Sequence, residues 1–327
     1  MKKGRILVHG GAGLWEEEER REEGVLLALC GAAEAGLSAM GDGSAVDAVV
    51  EAVASLEDSR VFNAGRGALP NLDGVVELDA GLMDGESLRA GGVAAVRSVP
   101  HPVLLARIVM ERTENILVVA SGAGDLAESF GLSGDLPGNL HRGELEGRRR
   151  AYLESPDHRW VRKLRSRRTR SREGDTVGAV AMDGEGRFAA ATSTGGLSFK
   201  LPGRVGDSPI VGHGFYAMRG AGAASTSGIG EVIARYGLSL RAVNLMADGI
   251  EAPVAAGETV SGLTRIFGPG TAGIILLDRN GLAGLSFNTR GMAVGFGGAG
   301  IDPGASIVRR EDLVRFSRDL FKKMHPK

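Results

Sequence analysis

Short apolar runs and longer stretches with helical spacing alternate along the first half of the chain. Apolar runs bounded by glycine or charge predict strands, and apolar positions three and four apart predict helices. In chain order the pattern predicts a strand at 5–9, helices at 16–38 and from Ser44 onward, strands at 75–83 and 91–96, a helix at 101–112, a strand at 116–120 and a helix at 125–130. Two of these strands are neighbours in sequence, which departs from the strict alternation of a doubly wound sheet. The pattern therefore predicts a mixed α+β fold.

Ser44 is the predicted N-cap of the second helix. Asp47 follows three residues later, and Ala45, Val49 and Val53 fall on one apolar face beyond it. A serine hydroxyl at this position can accept a hydrogen bond from a free N–H of the first helical turn.

The second half of the chain begins again with strands. Residues 176–182 and 188–193 flank a turn at 183–186, which is the pattern of a β-hairpin. The remaining predicted elements are a strand at 210–218, a helix that begins near 228 after the stretch 222–227, a helix at 240–252, strands at 273–278 and 282–288, and an amphipathic helix at 311–323. Backbone N–H groups at the helix start near 228 are suited to an anion or a developing oxyanion.

A basic segment separates the two halves. Arginines crowd positions 148–150 and 162–172, and apolar periodicity is weak there. This composition predicts an exposed, flexible linker over 134–175. A basic run can also bind nucleic acid, but no RNA-type aromatic motif accompanies it, so we expect no nucleic-acid partner.

Composition narrows the class of protein. The chain has 327 residues, 43% of them hydrophobic, and can bury a large core. Its formal net charge of −1 gives no general attraction to nucleic acid or anionic lipid. The single cysteine, Cys30, cannot form an intrachain disulfide, so we expect a reducing cytoplasm. No apolar window approaches the length of a membrane span, and we expect no membrane-spanning segment.

Two glycine-rich or irregular stretches are weak candidates for binding sites. Residues 10–13 form a glycine-rich turn after the first predicted strand, but they lack the spacing of a nucleotide-binding loop. His9, just before that turn, is predicted to be a packed strand residue rather than a base. The loop 56–66 is rich in turn residues, and its backbone carbonyls could surround a hard cation such as Na⁺.

Thr176 is the strongest candidate for chemistry. It is the first residue of a predicted buried strand and directly follows Gly174 and Asp175 at the end of the basic linker. If the Asp175–Thr176 peptide bond were cut, Thr176 would carry a hydroxyl nucleophile and a free α-amine. An α-amine has an ordinary pKa of about 7.7–8, so it can act as general base near neutral pH. A threonine at a strand start is more often structural, so the candidate depends on the rest of the chain.

Motifs along nearly the whole chain carry a family resemblance. They are the stretches at 9–13 (HGGAG), 62–67 (FNAGRG), 78–80 (LDA), 175–181 (DTVGAVA), 191–196 (ATSTGG), 201–209 (LPGRVGDSP) and 287–289 (FNT). In this order they resemble the plant-type L-asparaginase and isoaspartyl peptidase family of N-terminal-nucleophile hydrolases.

This resemblance implies a fold and a maturation step. Members of that family fold as a four-layer αββα sandwich and cut themselves before the nucleophile. Here the cut would fall between Asp175 and Thr176, giving an α piece of residues 1–175 and a β piece of residues 176–327 in one composite domain. The pieces would stay together, as a dimer of αβ units.

The resemblance also assigns roles to residues. The expected catalytic residues are Thr176, Thr194, Ser227, Gly228 and Asn63, with Ser227 and Gly228 as oxyanion donors. The expected substrate-binding residues are Arg204, Asp207, Ser227, Gly228 and Gly230. A structural Na⁺ would be held by backbone oxygens of Leu56, Glu57, Ser59, Phe62, Ala64 and Arg66. The family uses threonine where this chain has Ser227, so the hydroxyl is kept but its χ1 is freer.

The implied reaction is hydrolysis of the side-chain amide of L-asparagine and of the β-aspartyl bond of dipeptides through a threonyl acyl-enzyme, with no cofactor required for the chemistry. A glycosylasparaginase-type amidase resembles the chain around residues 175–178, and a taspase-like protease is a more distant alternative. A non-enzymatic alternative is an uncleaved relative that binds partners through the arginine-rich linker.

Overall fold

The computed structural model describes residues 4–13, 19–136, 147 and 176–324. The predicted linker therefore lies outside the described residues except at 134–136 and 147, and Asp175 is among those outside. The described parts confirm a mixed α+β fold.

Eight α-helices and twelve strands are described. The helices are α1 (Glu19–Asp42), α2 (Ala45–Asp58), α3 (Pro102–Arg112), α4 (Ala120–Ser129), α5 (Gly230–Tyr236), α6 (Leu238–Ala247), α7 (Ala252–Phe267) and α8 (Leu313–Met324). The strands are β1 (Arg5–Gly13), β2 (Leu78–Asp84), β3 (Ala90–Val96), β4 (Leu117–Val119), β5 (Val177–Met182), β6 (Phe188–Thr194), β7 (Phe215–Met218), β8 (Gly222–Gly228), β9 (Ala272–Asp278), β10 (Ala283–Phe287), β11 (Gly291–Gly298) and β12 (Ile301–Arg309).

The strands form two sheets. The larger has the order β12-β11-β1-β5-β6-β2-β3-β4, and the smaller has the order β10-β9-β8-β7. Most neighbours are antiparallel, while β3 and β4 run parallel. In the larger sheet, β5 lies between β1 and β6, so the strand that follows Thr176 has a hydrogen-bonded partner on each side.

Each sheet is covered by its own set of helices. Helices α1 to α4 pack on the larger sheet, and α6 and α7 pack on the smaller one. The sheets also contact each other, through β5 and β6 against β8 and through β1 against β9. Three apolar clusters fill the spaces between the layers. Small residues allow this packing: a Cβ on Gly178 of β5 would lie 2.1 Å from Ser225 Oγ of β8.

Several predicted elements are correct because their signals are local. Ser44 caps α2, and its hydroxyl accepts from Asp47 N while the Asp47 carboxylate accepts from Ser44 N, which completes a capping box. The hairpin of β5 and β6, the pair β9 and β10, and helix α3 behind His101 also match the predictions, within a few residues at their ends.

Other predictions are wrong, and each has a physical reason. Residues 10–13 are not a turn but the end of β1, where glycine is needed because a Cβ on Gly10 would lie 2.2 Å from the Phe62 ring. Residues 222–227 belong to strand β8. The strand predicted at 210–218 shortens to β7, because Gly212 at φ 82° turns the chain and donates to Phe215 O.

The C-terminal third departs most from the predictions. The helix predicted at 240–252 ends at Ala247, and a separate helix, α7, begins at Ala252. Strands β11 and β12 were not predicted at all. The glycine-rich sequence GMAVGFGG of β11 gives a weak strand signal, yet β11 is wholly buried between β1 and β12.

Helix α1 also corrects an expectation about membranes. Its stretch Glu22–Gly41 is long and apolar enough to cross a membrane by length and composition, contrary to the sequence analysis. In the fold, Val25, Leu29 and Ala33 of this helix belong to the apolar cluster on the larger sheet. The apolar face of α1 is therefore used by the core.

The capping box gives a stability prediction. We expect Ser44→Ala to lower the free energy of unfolding by about 1 kcal/mol, because a backbone N–H of the first turn loses its acceptor. Urea unfolding followed by circular dichroism measures this change. As a matched control, Ser261→Ala on the exposed face of α7 should leave stability equal or slightly higher, since alanine has the better helix propensity. Equal effects of the two substitutions would contradict the capping role.

Candidate active site

Thr176 and Thr194 meet at one end of the β5–β6 hairpin. Val177, the first residue of β5, pairs with Ser193 of β6. Thr176, which precedes β5, therefore lies beside Thr194, the last residue of β6. The Thr176 hydroxyl donates to Thr194 Oγ1 at 3.2 Å, and both side chains are buried. Thr194 Oγ1 also accepts from Gly196 N at 2.9 Å. The register of a local hairpin therefore creates this contact between two hydroxyls distant by 18 positions.

Asn63 ties the loop after α2 to the residues that follow Thr194. Its Nδ2 donates to Gly196 O at 2.6 Å, its Oδ1 accepts from Leu69 N at 2.8 Å, and its carbonyl accepts from Gly195 N at 2.8 Å. The side-chain amide thus bridges two loops next to Thr194. The interactions described for Asn63 are with the backbone of these loops rather than with Thr176.

Arg204 and Asp207 lie on the loop that follows β6. Nε and Nη2 of Arg204 each lie 2.8 Å from Glu231 Oε1, at the start of α5. Gly230 is needed beside them, because a Cβ there would come within 2.9 Å of Arg204 Nη2. The sequence analysis missed Glu231 as the partner of Arg204, since the two are far apart in sequence and only the fold pairs them.

Asp207 is a buried carboxylate. Its Oδ2 accepts from Thr226 Oγ1 at 3.0 Å. Burial raises the pKa of Asp207 to about 6, because the charged form loses hydration, while the hydrogen bond from Thr226 and the charge of Arg204 oppose that rise. A carboxylate poised in this range can accept a charge-assisted hydrogen bond from an ammonium group.

Ser227 and Gly228 end β8. Ser227 is fully buried, and its Oγ accepts from Ala12 N at 3.1 Å. Gly228 has φ 143°, and a Cβ there would lie 2.3 Å from Thr271 O, so only glycine fits. The glycine-rich end of β1 therefore contacts the serine that the sequence analysis selected as an oxyanion donor.

His9 is a buried residue of β1, as predicted. Its Nε2 lies 2.9 Å from Ser225 Oγ, and Ser225 in turn donates to Ala191 O at 3.2 Å. Burial lowers the pKa of His9 to about 3, so the imidazole is neutral near pH 7. The ring therefore adds no charge behind β5.

Residues 56–58, expected to begin a loop, are the last turn of α2, and the polar side chains of 56–66 bond both within this stretch and to neighbouring segments. Ser59 Oγ donates to Leu56 O at 2.7 Å, and Arg66 pairs with Asp58 at 2.7 Å. The buried Glu57 carboxylate accepts from Val103 N at 3.2 Å, and its Oε2 lies 3.5 Å from His101 Nδ1. Within the described ranges, no group of three or more His, Cys, Asp or Glu side chains could hold a metal ion. A cation at this loop would depend on backbone oxygens.

Glu57 and His101 influence each other's ionisation. Burial raises the pKa of the Glu57 carboxyl, although its hydrogen bonds oppose that rise. The hydrogen bond to Glu57 raises the pKa of His101. The pair links the last turn of α2 to the residue that precedes α3.

The amino-acid sequence was compared with known families and proteins. The family model described as Asparaginase matches residues 2–302. A plant-type L-asparaginase of Pyrobaculum calidifontis is 46% identical over 295 residues, covering 90% of this chain and 97% of the relative. A plant-type L-asparaginase of Thermococcus kodakarensis is 41% identical over 300 residues, covering 91% and 97%. An isoaspartyl peptidase of Salmonella typhimurium is 42% identical over 318 residues, covering 94% and 100%. The chain belongs to the asparaginase family.

Proposed function

We propose that the protein is a self-processing hydrolase that cleaves the side-chain amide of L-asparagine and the β-aspartyl bond of isoaspartyl dipeptides. The single observation that carries this proposal is the hydrogen bond from Thr176 Oγ1 to Thr194 Oγ1 at the start of β5. It joins the residue that follows the proposed cut to a second hydroxyl in a buried position. The similarity to both L-asparaginases and an isoaspartyl peptidase supports the two substrates.

The proposed maturation cuts the Asp175–Thr176 bond and leaves two pieces, residues 1–175 and 176–327. Strand β1 of the first piece pairs with β5 and β11 of the second, and β2 of the first pairs with β6 of the second. Interleaved strands of this kind would hold the pieces together. The proposal includes a four-layer αββα sandwich, consistent with helices on the outer side of each of two contacting sheets, and a dimer of αβ units in the cytoplasm.

In the proposed chemistry Thr176 Oγ attacks the side-chain carbonyl carbon of the substrate, and its own α-amine takes the hydroxyl proton. The carbonyl oxygen becomes an oxyanion stabilised by Ser227 Oγ and Gly228 N–H. The C–N bond then breaks and the leaving amine takes the proton from the α-ammonium of Thr176, releasing ammonia or an amino acid. Water, deprotonated by the same amine, hydrolyses the ester and releases aspartate.

Arg204 and Asp207 form the proposed clamp for the α-groups of the substrate. A guanidinium offers a planar fork to the α-carboxylate, and the Asp207 carboxylate accepts from the α-ammonium. The guanidinium of Arg204 also lies so close to Gly206 and Gly230 that a Cβ on either would come within 3.0 Å of it, so glycine at both positions lets the fork fit. Because the clamp holds only the α-groups, asparagine and β-aspartyl dipeptides can share one site.

A structural sodium ion remains part of the proposal. The backbone oxygens of Leu56, Glu57, Ser59, Phe62, Ala64 and Arg66 would hold it, and sodium accepts such oxygen ligands. The ion would stabilise the loop that carries Asn63, while the acyl transfer itself uses only groups of the chain.

The nucleophile gives the first functional prediction. We expect Thr176→Ala to abolish both self-cleavage and hydrolysis, because the hydroxyl is required for each. Intact-mass analysis, N-terminal sequencing, and release of ammonia from asparagine or of leucine from β-aspartyl-leucine measure the two effects. Thr113→Ala, at the end of α3, serves as control and should process and turn over normally. A Thr176→Ala protein that still cuts itself would refute the assignment, and a wild-type protein that neither cuts itself nor hydrolyses either substrate would favour a non-catalytic relative.

The proposed clamp of Arg204 and Asp207 gives the second functional prediction. We expect Arg204→Ala to raise KM for L-asparagine by roughly ten- to a hundredfold, the range expected for loss of a hydrogen bond between charged groups. Steady-state kinetics and inhibition by L-aspartate measure it. Arg241→Ala is the matched control, because Arg241 stacks on Tyr236 instead of reaching the loop of Arg204. An unchanged KM in Arg204→Ala would argue against the clamp.

Asp207 gives the third functional prediction, which concerns the pH dependence of kcat/KM. The charged carboxylate binds the substrate ammonium, and its pKa in the free protein is about 6. We therefore expect kcat/KM to fall with one additional power of proton concentration as pH drops below about 6, beyond the fall caused by protonation of the Thr176 amine at higher pH. The pH profile of Asp207→Asn should lack that lower step. The same step in both proteins would show that another group titrates.

A further inference from the structure

Asp79 and Lys200 form an ion pair deep in the fold. Lys200 Nζ lies 3.4 Å from Asp79 Oδ2, and both side chains are fully buried. Asp79 Oδ1 also accepts from Ala95 N at 2.8 Å. Burying two charges carries a large desolvation cost, and apolar residues of similar volume are often as stable or more stable in such positions. A gain in stability therefore does not account for the presence of Asp79 and Lys200 at these buried positions.

Asp79 stands on the same rung of the sheet as Thr194. The ladder between β2 and β6 pairs Asp79 directly with Thr194, so their side chains project from the same face. Lys200 lies on the loop that begins after Thr194, and its side chain returns to this rung. The ion pair thus closes the loop onto the position of β2 opposite Thr194, the residue that contacts Thr176.

The same loop leads to Arg204 and is anchored again on its way. Lys200 O accepts from Leu72 N at 2.9 Å, and Gly203 N donates to Glu77 Oε2 at 2.8 Å. Glu77 precedes β2 by one residue and pairs with Arg97 at 2.7 Å. Anchors at positions 200 and 203 fix the backbone immediately before Arg204.

Arg204 and Lys200 also share a small space. A Cβ built on Gly196 would lie 3.1 Å from Lys200 Nζ and 3.2 Å from Arg204 Nη1, so both cations border the same point. Two such cations repel each other, and Asp79 supplies the compensating charge. Burial raises the pKa of Asp79, and the charges of Lys200 and Arg204 both counteract that rise.

We propose that Lys200 and Asp79 are positioning residues, which set the distance between the Thr176–Thr194 hydroxyl pair and the guanidinium of Arg204. The inference rests on the proposed function of Arg204 as the clamp for the substrate carboxylate. Neither residue needs to touch the substrate. Their pair holds the clamp loop to the rung of Thr194, so that the α-carboxylate and the reacting carbonyl are both in reach.

The test uses the double substitution Lys200→Met with Asp79→Asn. It removes both charges together, so no buried charge is left without its counter-ion, and the amide oxygen introduced by Asp79→Asn can still accept from Ala95 N. We expect the double variant to fold and to cleave before Thr176. Its KM for L-asparagine and its inhibition constant for L-aspartate should rise about tenfold, the effect of a weakened interaction between charged groups, while kcat changes less.

Two further variants distinguish an effect on the position of Arg204 from an effect on stability. Lys200→Met alone leaves the Asp79 carboxylate buried and unpaired, so its Tm should fall below that of the double variant, while its KM is raised at least as much. Arg107→Met breaks ion pairs with Asp47 and Glu111 on α2 and α3. It should lower Tm and leave KM unchanged.

The outcomes distinguish the inference from the proposed function. Wild-type protein that hydrolyses neither asparagine nor β-aspartyl-leucine would overturn the proposed function and this inference with it. Active wild-type protein with a folded, cleaved double variant of unchanged KM would overturn the positioning role alone. A folded double variant that stays uncleaved would also overturn it, because the pair would then act on Thr194 and processing rather than on the clamp.

Discussion

The antiparallel pairing of β5 with β6 is the constraint on which the rest of the site depends. It sets Thr176 beside Thr194, and the next ladder, between β6 and β2, sets Asp79 opposite Thr194. Because side chains on one rung share a face, a shift of register by a single residue would turn these groups to the other side of the sheet. A fixed register in three neighbouring strands therefore determines which hydroxyls and which carboxylate meet.

Charges around this site are arranged in compensated pairs, of which one is fully buried and two are partly exposed. Lys200 faces Asp79, Arg204 faces Glu231, and Glu57 faces His101. His9 is held neutral by burial. Charges that are screened weakly by water act more strongly on one another, so small displacements of these groups change the field at the site.

Secondary-structure elements could be predicted from the sequence where their signals lie within a few residues of one another. The capping box at Ser44 and Asp47 and the hairpin around residues 183–186 depend on local geometry, and both are correct. Thr176 also stood out locally, as a threonine that begins a strand after a charged segment. The family resemblance added Thr194, Arg204, Asp207 and the pair Ser227–Gly228. The fold brings Thr194 to Thr176, whereas the chemical roles of all these residues remain predictions.

Contacts between distant segments could not be predicted from pattern alone. The glycine-rich residues 10–13 are predicted as a turn because glycine is rare in strands, and the ring of Phe62 explains why β1 needs glycine at position 10. Strand β11, with four glycines in eight residues, was missed for the same reason. The pairing of Arg204 with Glu231 and of Lys200 with Asp79 depends on tertiary packing, for which the sequence carries no periodic signal.

The order of strands in the larger sheet also has a consequence for assembly. Strand β1, from the first half of the chain, is inserted between β11 and β5 from the second half. Before any cut, the formation of this sheet is an intramolecular event with a modest loop-closure cost. If the proposed cut divides the chain, the same sheet would have to be rebuilt by two separate molecules, so recovery from denaturation would depend on concentration. Under that proposal the protein would fold once as a single chain, and its persistence afterwards would be governed by how slowly it unfolds.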